Sequence, residues 1–194
     1  MKNDNLDTKQ RIMKATISLL REKDLEGVTM RLIAERANVA LSALNYHFQT
    51  KENLINQSVE VLIGDRISTW YDRYNSLTGD PVNKLKTMLR DTASFLAKYP
   101  RISRVSIIYD LLSGGKEEDN SMQTNKAYLT AIQEIYGSKK NEQELKIKIH
   151  QIIAAGQVAL LRADVFKSYT GIDFFNDQQR DMLIDRLVDN IIRE

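Results

Sequence analysis

Apolar residues recur along most of the chain at three- and four-residue spacings, the period of helices that bury one side. After Asp7, whose carboxylate can cap a helix with Gln10 three residues on, Ile12, Ala15, Leu19 and Leu20 form the first such stripe. This helix is expected to stop near Leu25-Glu26-Gly27. Thr29 suits the N-cap of a short helix to about Arg36, Ala37-Asn38-Val39 interrupts, and a third short helix ends around His47. Thr50 then caps a longer pattern from Lys51 to about Tyr74, which at ~1.5 Å per residue spans more than ~30 Å and can join two lobes.

The second half continues in the same style. Leu77-Thr78-Gly79-Asp80-Pro81 is a turn signal, and residues 82–99 read as a helix that turns Leu85, Met88, Leu89, Thr92, Phe95 and Leu96 inward. Pro100 starts the next helix, which runs to Leu112, and the polar stretch from Ser113 to Asn120 reads as a surface loop. Helical patterns follow at about 121–136, 141–163 and 177–193. Asp164 to Asn176 reads as an irregular link whose Tyr169, Phe174 and Phe175 should pack on the body. The expectation is an all-α protein with an N-terminal three-helix domain over residues 1–50 and a larger all-helical domain over 51–194.

Composition agrees with that class. Only two Pro and eight Gly punctuate 194 residues, too few for a sandwich or barrel of short strands. The absence of Cys removes disulfides, thiolate metal sites and cysteine nucleophiles, and suits a reducing compartment. No run approaches ~20 apolar residues, and the start MKNDNLDTKQ has no apolar signal core, so a cytoplasmic protein without a membrane partner is expected. A net charge of +2 announces no nucleic acid by itself. The first 52 residues carry nine Lys/Arg against seven Asp/Glu, so any basic face must come from placement.

Residues 30–48 have the apolar mask of a helix-turn-helix. Ile33, Ala34, Ala37, Val39 and Leu44 point inward and Phe48 closes the unit. Two helices that cross steeply in so short a unit need a small side chain at the crossing, here Ala34, and a residue tolerant of left-handed geometry at the turn, here Asn38. A generic three-helix bundle shares this mask. The stretch Asn45-Tyr46-His47-Phe48-Gln49-Thr50-Lys51-Glu52-Asn53-Leu54 is sharper, since it resembles the end of the recognition helix in TetR-type regulators. Thr29-Met30-Arg31-Leu32-Ile33-Ala34-Glu35-Arg36-Ala37-Asn38-Val39 is similar to that family's second helix and turn. The resemblance covers roughly residues 8–55, and beyond them extends only to length and helical style.

In a helix-turn-helix the second helix enters the major groove, with flanking groups on phosphates. Residues 40–47 are that helix, and Leu41, Ser42 and Asn45 would face bases. Leu41 can touch a thymine methyl, Ser42 can donate or accept, and Asn45 can pair with adenine N6 and N7. The resemblance implies phosphate contacts for Tyr46, His47, Lys51 and Thr29, with Arg31 a weaker candidate. A Lys in the first turn of a helix opposes the macrodipole, and a phosphate beside Lys51 would reverse that penalty. Three positions depart from the family pattern. Ala40 stands where Ser or Thr often caps the recognition helix, Asn38 replaces the common turn Gly, and Ser42 takes a position often held by Gly. Tyr46 and Phe48 could both be core aromatics; Phe48 is assigned to the core and Tyr46, on the polar side, to DNA. Lys51 and Arg31 could be ordinary solvated charges, and His150 has no motif around it.

For the larger domain, Leu183, Ile184, Leu187, Val188, Ile191 and Ile192 form a wide stripe, and residues 152–160 add Ile152, Gly156 and several Ala. These helices could pair between two copies as a four-helix bundle, as the resemblance implies, or could be internal core. Trp70, Tyr71, Tyr74, Met88, Phe95, Tyr99, Tyr109, Met122 and Tyr128 are mostly core, although some could line an effector pocket whose residues the sequence does not assign. The resemblance thus implies a bacterial repressor that binds a palindromic duplex DNA operator as a homodimer and answers to a small-molecule effector. An enzyme is the rival class. Against it, Gly114-Gly115-Lys116 lacks the rest of a P-loop, no GxSxG occurs, and no catalytic residues, cofactor or metal are expected. A second rival is an interaction protein that kept the fold without DNA binding.

Overall fold

A computed structural model describes residues 2–113 and 120–193. Among them there are helices and turns and no strand, in the order α1 (Lys2–Glu22), α2 (Met30–Ala37), α3 (Leu41–Phe48), α4 (Lys51–Ser68), α5 (Trp70–Ser76), α6 (Pro81–Lys98), α7 (Pro100–Ser113), α8 (Asn120–Tyr136), α9 (Glu142–Leu161), α10 (Ala163–Thr170) and α11 (Asp177–Arg193). Short 3₁₀ turns occupy Leu25–Gly27 and Gly137–Lys139. Two compact units result, the first made of Met1–Asp65 with Arg101–Leu112 and the second of Arg66–Pro100 with Ser113–Glu194.

The first unit is built on the expected stripe. Ile12, Ala15, Leu19 and Leu20 of α1 are buried with Ile33, Ala34 and Ala37 of α2, Leu44 and Phe48 of α3, and Leu54 and Ile55 of α4. A surface clamp ties α1 to α2. The Arg36 guanidinium grips both Glu22 carboxylate oxygens at 2.7 and 2.8 Å, the fork geometry in which Arg–carboxylate pairs are strongest, and also reaches Ser18 at 3.0 Å. Hydrogen bonding to Arg36 holds the Glu22 carboxyl down at about 2. Arg101 of α7 pairs with Asp24, just beyond α1, at 2.6 Å.

In the second unit α6 lies against α8 and α11. Lys86 and Arg90, one turn apart on α6, pair with Asp189 and Asp185, one turn apart on α11; the Lys86–Asp189 distance is 2.6 Å. Leu183, Ile184 and Val188 of α11 are buried within the single chain with Ile152, Ala159 and Leu160 of α9. Two carbonyls near the C-terminal end of α11 are satisfied by side chains. The nearly buried Lys148 donates to the Ile191 carbonyl at 2.6 Å, and the Tyr136 hydroxyl reaches the Ile191 and Ile192 carbonyls at 3.0 and 3.1 Å. Trp70 stacks on Tyr74 at 5.0 Å and meets Tyr128 edge-on at 5.4 Å, and these three are core.

Several boundaries differ from the sequence expectation. The first helix begins at Lys2 instead of after Asp7, since nothing in residues 2–7 breaks it and acidic groups favour a helix N-terminus; Asp7 lies inside and pairs with Arg11 at 3.6 Å. The long 51–74 pattern is two helices interrupted at Thr69. The 141–163 pattern ends at Arg162, and eight residues of the expected irregular link form α10, stopped by Gly171 at a φ of 74° that side-chain-bearing residues avoid. Of the link's aromatics, Phe174 is buried as expected, whereas Phe175 is exposed and Tyr169 is 91% exposed, because α10 turns Tyr169 away from its buried Ala163 side. Most of the expected Ser113–Asn120 loop, and the side chain of Tyr71, lie outside the described residues.

Candidate nucleic-acid interface

The turn between α2 and α3 has the geometry its sequence suggests. Thr29 caps α2, its Oγ1 accepting the Leu32 N–H at 3.2 Å. At the other end Asn38 is left-handed, with φ and ψ both 53°, and the Val39 N–H returns to the Ala34 carbonyl at 3.0 Å, the bond that closes a Schellman motif. Ala34, the small residue expected at the helix crossing, is buried. Ala40 starts α3 in extended geometry with no side-chain cap, so the first N–H groups of α3 rely on backbone: Ala43 N–H goes to the Ala40 carbonyl at 2.9 Å.

Alpha-helical spacing then sorts α3 into two sides. Leu44 and Phe48 are fully buried. Leu41, Ser42, Asn45 and Tyr46 are exposed, Leu41 at 37% and Tyr46 at 75%. His47 is half-buried, its ring between those of Tyr46 at 5.1 Å and Phe48 at 6.0 Å. The structure therefore gathers five of the eight sequence candidates on one helix. Thr29 and Arg31 are exposed on α2; the Thr29 oxygen is used as a cap acceptor while its proton remains available to an anion. Lys51, half-buried in the first turn of α4, donates to the Leu25 carbonyl at 2.8 Å. That bond offsets the macrodipole penalty without any phosphate and leaves two ammonium protons free to donate.

Three neighbours were not among the candidates. The Lys9 ammonium sits 5.7 Å from the Phe48 ring centroid, beside the end of α3. Gln49 has a positive φ of 62°, and Asn53 donates from Nδ2 to the Phe48 carbonyl at 2.8 Å. The signal for the last two was the two-residue link Gln49-Thr50 itself, too short to join α3 and α4 without a tight turn.

Within the second unit a groove of about 590 Å³ opens between α8 and α9, with Met122, Leu129, Ile147 and Ile149 as its apolar lining and Lys126, Lys146 and His150 among its polar groups. Among the described residues, Met122 is the one member of the aromatic and Met set that could line an effector pocket and does line this groove. Among the described residues no group of three or more His, Asp or Glu is placed to hold a metal ion, and no helix is long and apolar enough to cross a membrane.

Three short helices that bury one side of the last and present its polar side define a helix-turn-helix reading head. Residues 12–57 match the family described as bacterial regulatory proteins, tetR family. Over 209 aligned positions, covering 99% of this chain and 88% of the relative, the chain is 24% identical to the "Probable acrEF/envCD operon repressor" of Escherichia coli K12. In fold it is similar to a TetR transcriptional regulator from Rhodococcus sp. RHA1, with a TM-score of 0.61, 20% identity and 96% of both chains covered. It is likewise similar to a TetR variant from Acinetobacter baumannii in complex with minocycline, with a TM-score of 0.65, 18% identity and 94% of both chains covered. Residues 12–57 thus match the tetR family's N-terminal domain, and the chain as a whole is similar in sequence and fold to TetR-family transcriptional regulators.

Proposed function

We propose that this regulator is a repressor that binds a palindromic operator in duplex DNA as a homodimer and releases it when a small-molecule effector binds. The observation that carries the reading is the division of α3, where Leu44 and Phe48 are fully buried and Leu41, Ser42, Asn45 and Tyr46 are exposed on the other side. Leu41, Ser42 and Asn45 read base edges; Tyr46, His47, Lys51 and Thr29 hold phosphates, with Arg31 a secondary contact. The reading head occupies residues 1–50 and the sensing and pairing domain residues 51–194. No catalytic step, cofactor or metal enters the proposal, and a cytoplasmic location follows from the DNA partner.

One eight-residue helix reads too few base pairs for a specific site, so two copies related by a two-fold axis double the contacts and make the operator palindromic. Exposed apolar side chains for such pairing occur on the last three helices, with Val158 on α9, Val165 on α10 and Met182 on α11. The relative with minocycline supports effector control, and the groove between α8 and α9 has room for a small molecule. An effector weakens DNA binding if it prefers one spacing of the two reading heads over the spacing that DNA requires.

The test is selection of duplexes from a random-sequence pool, followed by titration of the recovered duplex at two salt concentrations. A palindromic consensus should emerge, with affinity that falls as salt rises. A pool that stays random, or binding indifferent to salt, would remove the proposal.

A further inference from the structure

Gln49 is a strained point of the first unit. Its φ of 62° and ψ of −49° lie where side-chain-bearing residues are uncommon, and the Thr50 N–H reaches the Phe48 carbonyl at 2.7 Å to close a three-residue γ-turn. Such a backbone persists only where its surroundings over-determine it. The buried Phe48 ring is one restraint, because α3 cannot roll without exposing it. Asn53 is the other. Its Nδ2 donates to the same Phe48 carbonyl at 2.8 Å, its backbone N–H goes to Thr50 Oγ1 at 3.1 Å, and its Oδ1 accepts from Gln57 at 3.0 Å. Asn53 is itself exposed, so hydrogen bonding, rather than core packing, is what it supplies.

The geometry points to Asn53 as a positioning residue for base reading: by holding the Phe48 carbonyl it fixes the pitch of α3 against the start of α4. This inference rests on the DNA-reading proposal above. An eight-residue helix is ~12 Å long, so a tilt of ~5° at its C-terminal end moves its N-terminal residues by ~1 Å. That shift exceeds what hydrogen bonds to base edges from Ser42 and Asn45 tolerate. Lys51, on α4 and with a flexible stem, follows a phosphate over the same distance, and Tyr46 and His47 lie near the pivot and move less. Loss of the clamp therefore separates specific from non-specific binding.

The experiment compares Asn53→Ala and Asn53→Asp with the parent chain on two duplexes at one salt concentration: the sequence the parent recovers from a random pool, and a scrambled duplex of equal composition. Aspartate keeps the size of the side chain and an acceptor for Gln57 but has no proton for Phe48. Its charge near the start of α4 favours that helix and keeps a folded test chain should the Ala variant melt. In both variants the ratio of specific to non-specific affinity should fall about tenfold, with the non-specific affinity of Asn53→Ala within about twofold of the parent and an unchanged circular dichroism spectrum. The ratio cancels the repulsion that the new carboxylate adds on either duplex. A ratio within twofold of the parent in either folded variant overturns the inference, as does an equal loss on both duplexes. A parent that enriches no duplex at all refutes the DNA-reading proposal instead, whereas normal binding by the Asn53 variants leaves that proposal standing.

Discussion

Replacing Ala40 with Ser should stabilise the reading head, by an amount that its neighbours calibrate. Thr29, Thr50, Asp80 and Asn141 each cap a helix through a side-chain oxygen, with N···O distances of 2.9–3.2 Å. Ala40 has the same extended backbone, φ −69° and ψ 145°, and no oxygen to offer. A Ser hydroxyl there would accept from the Ser42 or Ala43 N–H, the second or third position of α3, and such caps are worth ~1 kcal/mol. For a chain of 194 residues that converts to a rise in melting temperature of ~2–4 °C at fixed protein concentration. Thr29→Ala should lower it by a similar amount, since it removes the working cap on α2. The assay is thermal unfolding of the three chains side by side, followed by circular dichroism. If Ala40→Ser changes nothing while Thr29→Ala costs the expected few degrees, the start of α3 is anchored by something other than its N-cap, and the reasoning about Ala40 is wrong.

Four further substitutions test the same geometry. Gln49→Gly should raise stability by ~1 kcal/mol in denaturant unfolding, because strain of ~1–3 kcal/mol at a positive φ outweighs the ~0.4–1 kcal/mol that Gly costs through the unfolded chain; a destabilised variant would show that the turn is not strained. Lys51→Ala should weaken binding to all duplexes alike and lower the salt slope by about one, whereas Asn45→Ala should relax preference at one base position by ~1–3 kcal/mol, both read by titration. The Glu22 carboxyl is held down to about 2 by its hydrogen bond to Arg36, so its contribution is complete above the ordinary carboxylate range and is lost as pH falls toward 2. Glu22→Gln should therefore flatten the acid side of the stability profile, and an unchanged slope between pH 5 and pH 2 would count against the clamp.

The reading head was legible because its determinants are local. The spacing of Ile12, Ala15, Leu19 and Leu20, the small Ala34 at a steep crossing and the left-handed Asn38 each follow from a rule that needs only neighbours in the chain. The same holds for the exposed side of α3, where Leu44 and Phe48 set the phase and Leu41, Ser42, Asn45 and Tyr46 take the remainder. What escaped were features with non-local or competing causes. The C-terminal link hides an eight-residue helix, since Ser168, Thr170 and Gly171 suggest a loop while the helix needs only its own short apolar side. The partners of Lys51 and Asn53, the Leu25 and Phe48 carbonyls, are backbone atoms, which no side-chain pattern reveals. The α11 stripe was ambiguous between core and partner for a physical reason: Leu183, Ile184 and Val188 are core of this chain, while Leu187, Ile191 and Ile192 are only half-buried.

The absence of Cys permits a direct reading of where α3 goes. A single Cys in place of Ala40, exposed at the start of α3 and outside the proposed contacts, carrying a DNA-cleaving chelate, should cut the selected duplex in two patches placed symmetrically about its centre, one helical turn of ~10 base pairs apart or a multiple of it. Cleavage spread evenly along the duplex, a single unpaired patch, or protection without any cutting would contradict a symmetric pair of reading helices seated in the major groove.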